Sequence, residues 1–183
     1  MAIGNFKQID ASDRNIFAKA ELAITNIFAR DLQPQAAIET YQNLLSTSPE
    51  FKRDAYIKIA EGYKELKEFA KAVDAYKKAV GSKMGLSQVT NAELQFDLAD
   101  TYELLNKKKE AVEEYFKIPY LYPSEQSWVI KAYLRAGRIF EDKGEWEQAK
   151  TAYQKIIDLK TDEAKFAQER LEWIRENKAD SKK

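Results

Sequence analysis

The sequence predicts an all-α fold: four helical hairpins in series, closed by one further helix. Three observations carry this reading. Turn formers are scarce, with six Gly and four Pro in 183 residues, while Ala, Glu, Lys and Leu are abundant. Apolar residues recur at helical spacing from Ile16 to Ile174. The stretch Tyr133–Tyr153, YLRAGRIFEDKGEWEQAKTAY, holds two helical patterns divided by Lys143-Gly144, with the small residues Gly137 and Ala149 twelve apart. Small side chains at facing positions let two helix backbones approach closely, so this stretch reads as an antiparallel hairpin.

In chain order, 1–11 has no helical period and reads as an irregular lead-in. Ser12 or Asp13 can cap a first helix carrying Ile16, Phe17, Ala20, Ile24, Ile27 and Phe28. Gln33-Pro34 ends it, and Pro34 suits the first turn of the next helix, which carries Ala37, Tyr41, Leu44 and Leu45 and stops near Ser48-Pro49. A second pair follows, with Tyr56, Ile59, Ala60 and Tyr63 on one helix and Phe69, Ala72, Tyr76 and Ala79 on the other. Gly81 to Val89 is the loosest connection. Thr90-x-x-Glu93 has the form of a capping box and opens a third pair, Leu98, Ala99 and Tyr102 facing Ala111, Tyr115 and Ile118. Pro119 is expected to kink or finish the second of these helices. The Tyr133–Tyr153 hairpin comes next, entered through Ser124 to Trp128. A last helix over 162–177 carries Ala164, Ala167, Leu171 and Ile174 on one face, and 178–183 reads as a frayed tail.

Aligned on their small residues, the four pairs repeat. The first helix places Thr25, Ala60, Ala99 and Gly137; twelve residues on, the second places Ala37, Ala72, Ala111 and Ala149. An aromatic follows the second Ala by four (Tyr41, Tyr76, Tyr115, Tyr153) and the first small residue by three (Phe28, Tyr63, Tyr102, Phe140). Pro49 and Pro123 stand twelve beyond their alanines. This pattern resembles the tetratricopeptide repeat, W-x2-L-G-x2-Y, then A-x3-F, then P, over about 34 residues. The resemblance covers about 18–163. The repeat alanines advance by 35, 39 and 38, so two connections are lengthened; Glu21 and Thr25 occupy the Trp and Gly positions of the first unit, Gln95 the Trp position of the third, and the Pro is missing from the second and fourth. The fold implied is an α-α superhelix, in which stacked hairpins bury together what one hairpin cannot bury alone. It gives one domain over 12–178, with repeats at about 18–51, 53–86, 92–125 and 130–163, a capping helix at 162–177 and a tail at 179–183. On this reading the spaced alanines and aromatics are core.

Composition bounds the function. Thirty basic and thirty acidic residues leave zero net charge, which argues against a general nucleic-acid or anionic-membrane binder. With no Cys and no His, the common zinc ligands, the usual general base and the Ser-His and Cys-His nucleophile pairs are missing. No phosphate loop is present. The expectation is therefore a non-enzymatic chain without cofactor or metal. Acid pairs such as Glu113-Glu114 fall at surface helical positions, and Lys107-Lys108-Lys109 reads as a solvated turn.

The resemblance implies a groove lined by the first helix of each pair, which takes a peptide or a partner helix. The residue after the Trp position points into it: Leu22, Ile57, Phe96 and Leu134, apolar in all four units, unless neighbouring segments cover them. Asn26, Glu61, Asp100, Lys131, Arg135 and Arg138 complete the expected groove set. Its charge runs from Glu93, Asp97, Asp100 and Glu103 in the third unit to Lys131, Arg135 and Arg138 in the fourth. Such groups either satisfy each other as ion pairs or set the direction of a bound segment. Chaperone-binding members of the family hold a C-terminal carboxylate with Lys and Asn residues and a further Lys and Arg. Lys131 and Arg135 match the later half of that clamp, but Ile57, Glu61 and Asp97 stand where Lys and Asn are needed, and acidic groups there repel a carboxylate.

YLYPSEQSW before the fourth pair and EAKFAQERLEWI near the end are similar to repeat arrays of bacterial cell-envelope proteins. That likeness implies a bacterial scaffold in an envelope complex, with a cytosolic adaptor or co-chaperone as the alternative. The N-terminus lacks the apolar segment of a signal peptide, and no run approaches a membrane span, so a soluble chain is expected, periplasmic where an export signal has been removed. A protein or peptide partner is expected, homo-oligomers included.

Overall fold

The computed structural model describes residues 22, 23, 26, 33–82 and 89–178, and among them every regular element is a helix. The start and most of the body of the expected first helix, its small residue Thr25, the lead-in 1–11, the core of the Gly81–Val89 connection and the tail 179–183 lie outside the described residues.

The chain divides into two compact units, Met1–Val89 and Thr90–Lys183. The first holds α1 (Pro34–Thr47), a short 3-10 turn (Pro49–Phe51), α2 (Lys52–Glu65) and α3 (Phe69–Val80). Pro34 sits at the start of α1, where its missing N–H has no intrahelical partner to lose. Here α2 packs on both α1 and α3. The second unit holds α4 (Asn91–Leu104), α5 (Lys108–Leu121), α6 (Gln126–Asp142), α7 (Trp146–Asp158) and α8 (Ala164–Lys178). Each packs on the next through α7, α7 packs on α8, and α4 also meets α6. Thr90 caps α4 by accepting from the Glu93 backbone N–H at 3.1 Å, satisfying one of the helix's orphan donors.

Pro119 does not end α5. The helix runs two residues further, to Leu121, and the Tyr122 N–H closes it on the Ile118 carbonyl at 2.8 Å. A proline this near the C-terminus removes one hydrogen bond without breaking a ladder that continues. The last helix begins at Ala164, later than 162, because Thr161 to Glu163 form a turn closed by the Ala164 N–H on the Thr161 carbonyl at 3.0 Å.

The turns of the second, third and fourth hairpins share one device. Lys67 (φ 59°), Asn106 (φ 59°) and Gly144 (φ 71°) take the left-handed conformation just past α2, α4 and α6. The next residue's N–H then returns to the helix: Glu68 to the Tyr63 carbonyl, Lys107 to Tyr102 and Glu145 to Phe140, at 2.8–2.9 Å. This six-to-one bond satisfies carbonyls that a helix end leaves open. The acceptors are the repeat aromatics themselves, so the twelve-residue spacing is fixed by the length of one helical turn, the turn loop and the first turn of the partner.

The spaced small residues of the second, third and fourth hairpins are core, whereas Ala37 of the first is half-buried, as are the repeat aromatics Tyr63 and Phe140. Ala60, Ala72, Ala99, Ala111 and Ala149 are fully buried, as are the rings of Tyr76, Tyr115 and Tyr153. At the end of the second unit, Ala149, Tyr153 and Ile156 of α7 meet Ala167, Leu171 and Ile174 of α8. Burial of each large apolar side chain there contributes about 1.5–3 kcal/mol, so α8 closes the hairpin by covering its apolar face.

Candidate functional site

The expected groove residues of the second unit lie on α4 and α6, the first helices of the third and fourth hairpins. Phe96 packs its ring 5.1 Å from Tyr115 and 5.3 Å from Trp128. The Lys131 ammonium stands 3.9 Å from the centre of the Trp128 ring, a cation–π contact that leaves most of the lysine exposed. Arg135 reaches from α6 to α4: one Nη2 donates to Asp100 Oδ1 at 2.7 Å and stands 3.2 Å from Glu103 Oε2, while its Nε donates to the Tyr115 hydroxyl at 3.3 Å. That hydroxyl in turn donates to Glu103 at 3.2 Å. Burial pushes the Tyr115 phenol well above its ordinary range, and Arg135 opposes the shift only in part. For Arg135, burial acts to lower the guanidinium, but the Tyr115 bond and the charges of Glu103 and Asp100 outweigh it and raise it.

Leu134 is half-buried and packs against the α7–α8 core. Arg138 is exposed, 5.9 Å from the Phe166 ring of α8. The side joining α4 to α6 therefore carries an aromatic pair with a cation above it, an internally satisfied Asp100–Arg135 bridge, and a second exposed cation.

In the first unit the expected residues are less open. Ile57 is 2% exposed, so its side chain is covered. Leu22 is half-buried. The Asn26 side-chain oxygen accepts from the Tyr41 hydroxyl at 2.7 Å, and Glu61 pairs with Lys58 at 2.8 Å. Burial, with Glu61 adding, pushes the Tyr41 phenol up to about 12.

The groove set is thus not one row of equivalent groups. Sequence reasoning missed Trp128, the aromatic platform under Lys131. The available signal was its place three residues before Lys131, one helical turn away. It also read Tyr115 as core alone, whereas its hydroxyl is the hub that Glu103 and Arg135 share.

The fourth hairpin repeats this hub. Tyr153 donates to Glu141 at 2.7 Å, and Arg170 of α8 donates to the same carboxylate through Nε at 3.2 Å and through Nη2. Glu103 and Glu141 both stand four residues after their small residue, so the device follows the repeat register.

Family models for the tetratricopeptide repeat match residues 54–83 and 131–159, the second and fourth hairpins. The chain carries tetratricopeptide repeats. No curated protein matches it by sequence. Among solved structures it is similar to a tetratricopeptide repeat protein from Parabacteroides merdae, at 16% identity and a TM-score of 0.66 over 87% of this chain and 60% of that one. It is also similar to MamA from Desulfovibrio magneticus RS-1, at 14% identity and a TM-score of 0.58 over 91% and 97%. A third is YrrB, described as a TPR protein with an unusual peptide-binding site, at 17% identity and 0.56 over 81% and 74%. At these identities the likeness speaks for the shared all-α repeat fold alone. Tetratricopeptide-repeat proteins are generally non-catalytic interaction modules. Among the described residues of this one, no helix is long and apolar enough to cross a membrane, and no group of acidic side chains is arranged to hold a metal ion.

Proposed function

We propose that this tetratricopeptide-repeat protein is a non-enzymatic interaction module that takes a peptide or a partner helix against the first helices of its hairpins. The observation that carries the reading is the α4–α6 side of the second unit. Phe96 and Trp128 offer a half-buried aromatic platform, and Lys131 and Arg138 stand exposed beside it with Leu134 between them in sequence. Aromatic side chains and cations whose heads stay in solvent are the usual anchors of such recognition. The chemistry selects a segment with apolar residues and carboxylates. A free C-terminal carboxylate clamp is disfavoured, since Arg135 already serves Asp100, Glu103 and Tyr115. The setting we favour is a bacterial envelope complex, with a cytosolic adaptor as the second reading; the YLYPSEQSW and EAKFAQERLEWI stretches support the first.

The test is affinity capture from the source organism with wild type beside Lys131→Glu/Arg138→Glu, followed by titration of any captured partner's segment into purified protein. Both substitutions are at exposed positions, so the fold is expected to persist. Loss of a partner from the double variant, with direct binding weakened in solution, supports the reading. An unchanged captured set removes it.

A further inference from the structure

A surface cavity of about 380 Å³ lies on the second unit, walled by Phe116, Pro119 and Tyr120 of α5, Tyr133 of α6, and Ala152 and Lys155 of α7. None of the expected groove residues lines it. A cavity of about 300 Å³ on the first unit occupies the same place in the repeat. Counted from the small residues of each hairpin, Tyr133, Ala152 and Lys155 fall on Tyr56, Ala75 and Lys78. Pro119 falls on Leu45 by the same count.

The third hairpin carries a carboxylate at this register. There the residues equivalent to Tyr133, Ala152 and Lys155 are Gln95, Glu114 and Lys117. Gln95 is 2% exposed and donates to Glu114, and Lys117 pairs with the same carboxylate oxygen at 2.7 Å. That repeat supplies its own carboxylate to its own lysine. In the fourth hairpin Ala152 leaves the carboxylate's place vacant, while the lysine is retained and makes no ion pair among the described residues. In the first unit's cavity the equivalent Lys78 stands 5.5 Å from the centre of the Tyr56 ring, and Lys71 and Asp74 share the wall. The fourth hairpin's cavity holds Lys155 as the charge in its wall, and its rim is aromatic: Tyr120 is 84% exposed and Phe116 stands 6.0 Å from Tyr133 in an edge-on contact. Exposed aromatic surface beside an unanswered cation fits a partner group that brings both an apolar side chain and a carboxylate.

We propose that the Phe116–Tyr133–Lys155 cavity is a second docking site, taking a peptide segment in which an aromatic side chain neighbours a glutamate or aspartate. The carboxylate sits against Lys155, in the place that Glu114 fills in the third hairpin. The aromatic side chain packs against Phe116, Pro119 and Tyr120.

The test is amide NMR of the full chain titrated with the blocked tripeptide Glu-Phe-Glu and its uncharged counterpart Gln-Phe-Gln. The expected result is saturable shifts at 116–120, 133 and 151–155, with the uncharged probe about threefold weaker, the size of one solvent-exposed ion pair. Lys155→Gln, at an exposed position, abolishes that difference. Tyr133→Gln/Ala152→Glu writes the third hairpin's own closing pair into the fourth and removes binding. Should that double variant not fold, Lys155→Gln and the probe pair decide alone. Equal affinity for the two probes, an unaltered difference in Lys155→Gln, or no saturable shift at these residues overturns the site. Shifts at 96, 128, 131 and 138 alone also overturn it, while leaving the first-helix reading standing.

Discussion

The ring of Tyr153 lies against the bare backbone of Gly137: a Cβ placed there would stand 2.9 Å from both Cε1 and Cζ. The two residues belong to the two helices of one hairpin, Gly137 on α6 and Tyr153 on α7. Tyr153 cannot easily swing aside. Its ring is fully buried and its hydroxyl is tied to Glu141, which Arg170 also holds. Gly137→Ala is therefore expected to destabilise the second unit. Overpacking costs about 1–3 kcal/mol, and the gain in helix propensity returns about 1 kcal/mol of it. A urea midpoint equal to or above wild type would show that the ring yields freely.

The Tyr153 hydroxyl also makes stability depend on pH. Burial, and then the bond to Glu141, raise the phenol above its ordinary 10.0 in the folded chain. The sign follows from linkage: the folded state favours the neutral phenol, so this contribution is full below the unfolded value of about 10 and is lost as pH rises above it. Tyr153→Phe is expected to cost about 1 kcal/mol at neutral pH through the lost hydrogen bond. It should also flatten the fall in stability between pH 9 and 11, read by urea unfolding across that range. A variant as steep as wild type would assign the alkaline loss to other groups, with Tyr115 the next to examine, since burial raises it too.

The turns make a third prediction. Lys67 takes the conformation that Gly144 takes in the fourth hairpin, at φ 59° against 71°. A side chain in the left-handed region crowds its own carbonyl, and glycine removes that strain. Lys67→Gly should stabilise the first unit by about 0.5–1 kcal/mol, less the extra chain entropy glycine brings to the unfolded state. Asn106→Gly should gain less, because asparagine tolerates this region. Thermal unfolding of the two variants side by side checks the order.

These residues also mark what was legible in the sequence. The hairpins were, because Gly137, Ala149 and Tyr153 obey a fixed spacing set by helix geometry, and any chain that packs two helices this closely must keep it. The side-chain partnerships were not. Ile57 and Leu134 hold the same repeat position, yet Ile57 is covered and Leu134 is half-open; cover depends on the packing of neighbours, which periodicity does not encode. Arg170 reaches Glu141 from α8, a helix outside the repeat, so no register arithmetic pairs them. The equivalence of the Tyr133 and Tyr56 cavities lay within reach of that arithmetic, but only geometry shows that Glu114 holds both Gln95 and Lys117 at that place in the third hairpin.

The bridge between Asp100 and Arg135 is the last relationship to test, because it decides whether Arg135 belongs to structure or to recognition. Both side chains are about a third or less exposed, at 26% and 34%, and Arg135 meets three acceptors rather than one. A structural role predicts unequal single variants: Arg135→Ala should cost more than Asp100→Ala, since it also leaves Glu103 and the Tyr115 hydroxyl short of a donor. The double-mutant cycle should return a coupling of about 0.5–1.5 kcal/mol, between an exposed pair and a hydrogen-bonded charged one. Arg135→Lys should recover little, because one ammonium cannot span acceptors that the planar guanidinium reaches together. A cycle with no coupling, alongside weakened capture of a partner by Arg135→Ala, would move Arg135 from the bridge to the binding surface that Lys131 and Arg138 form.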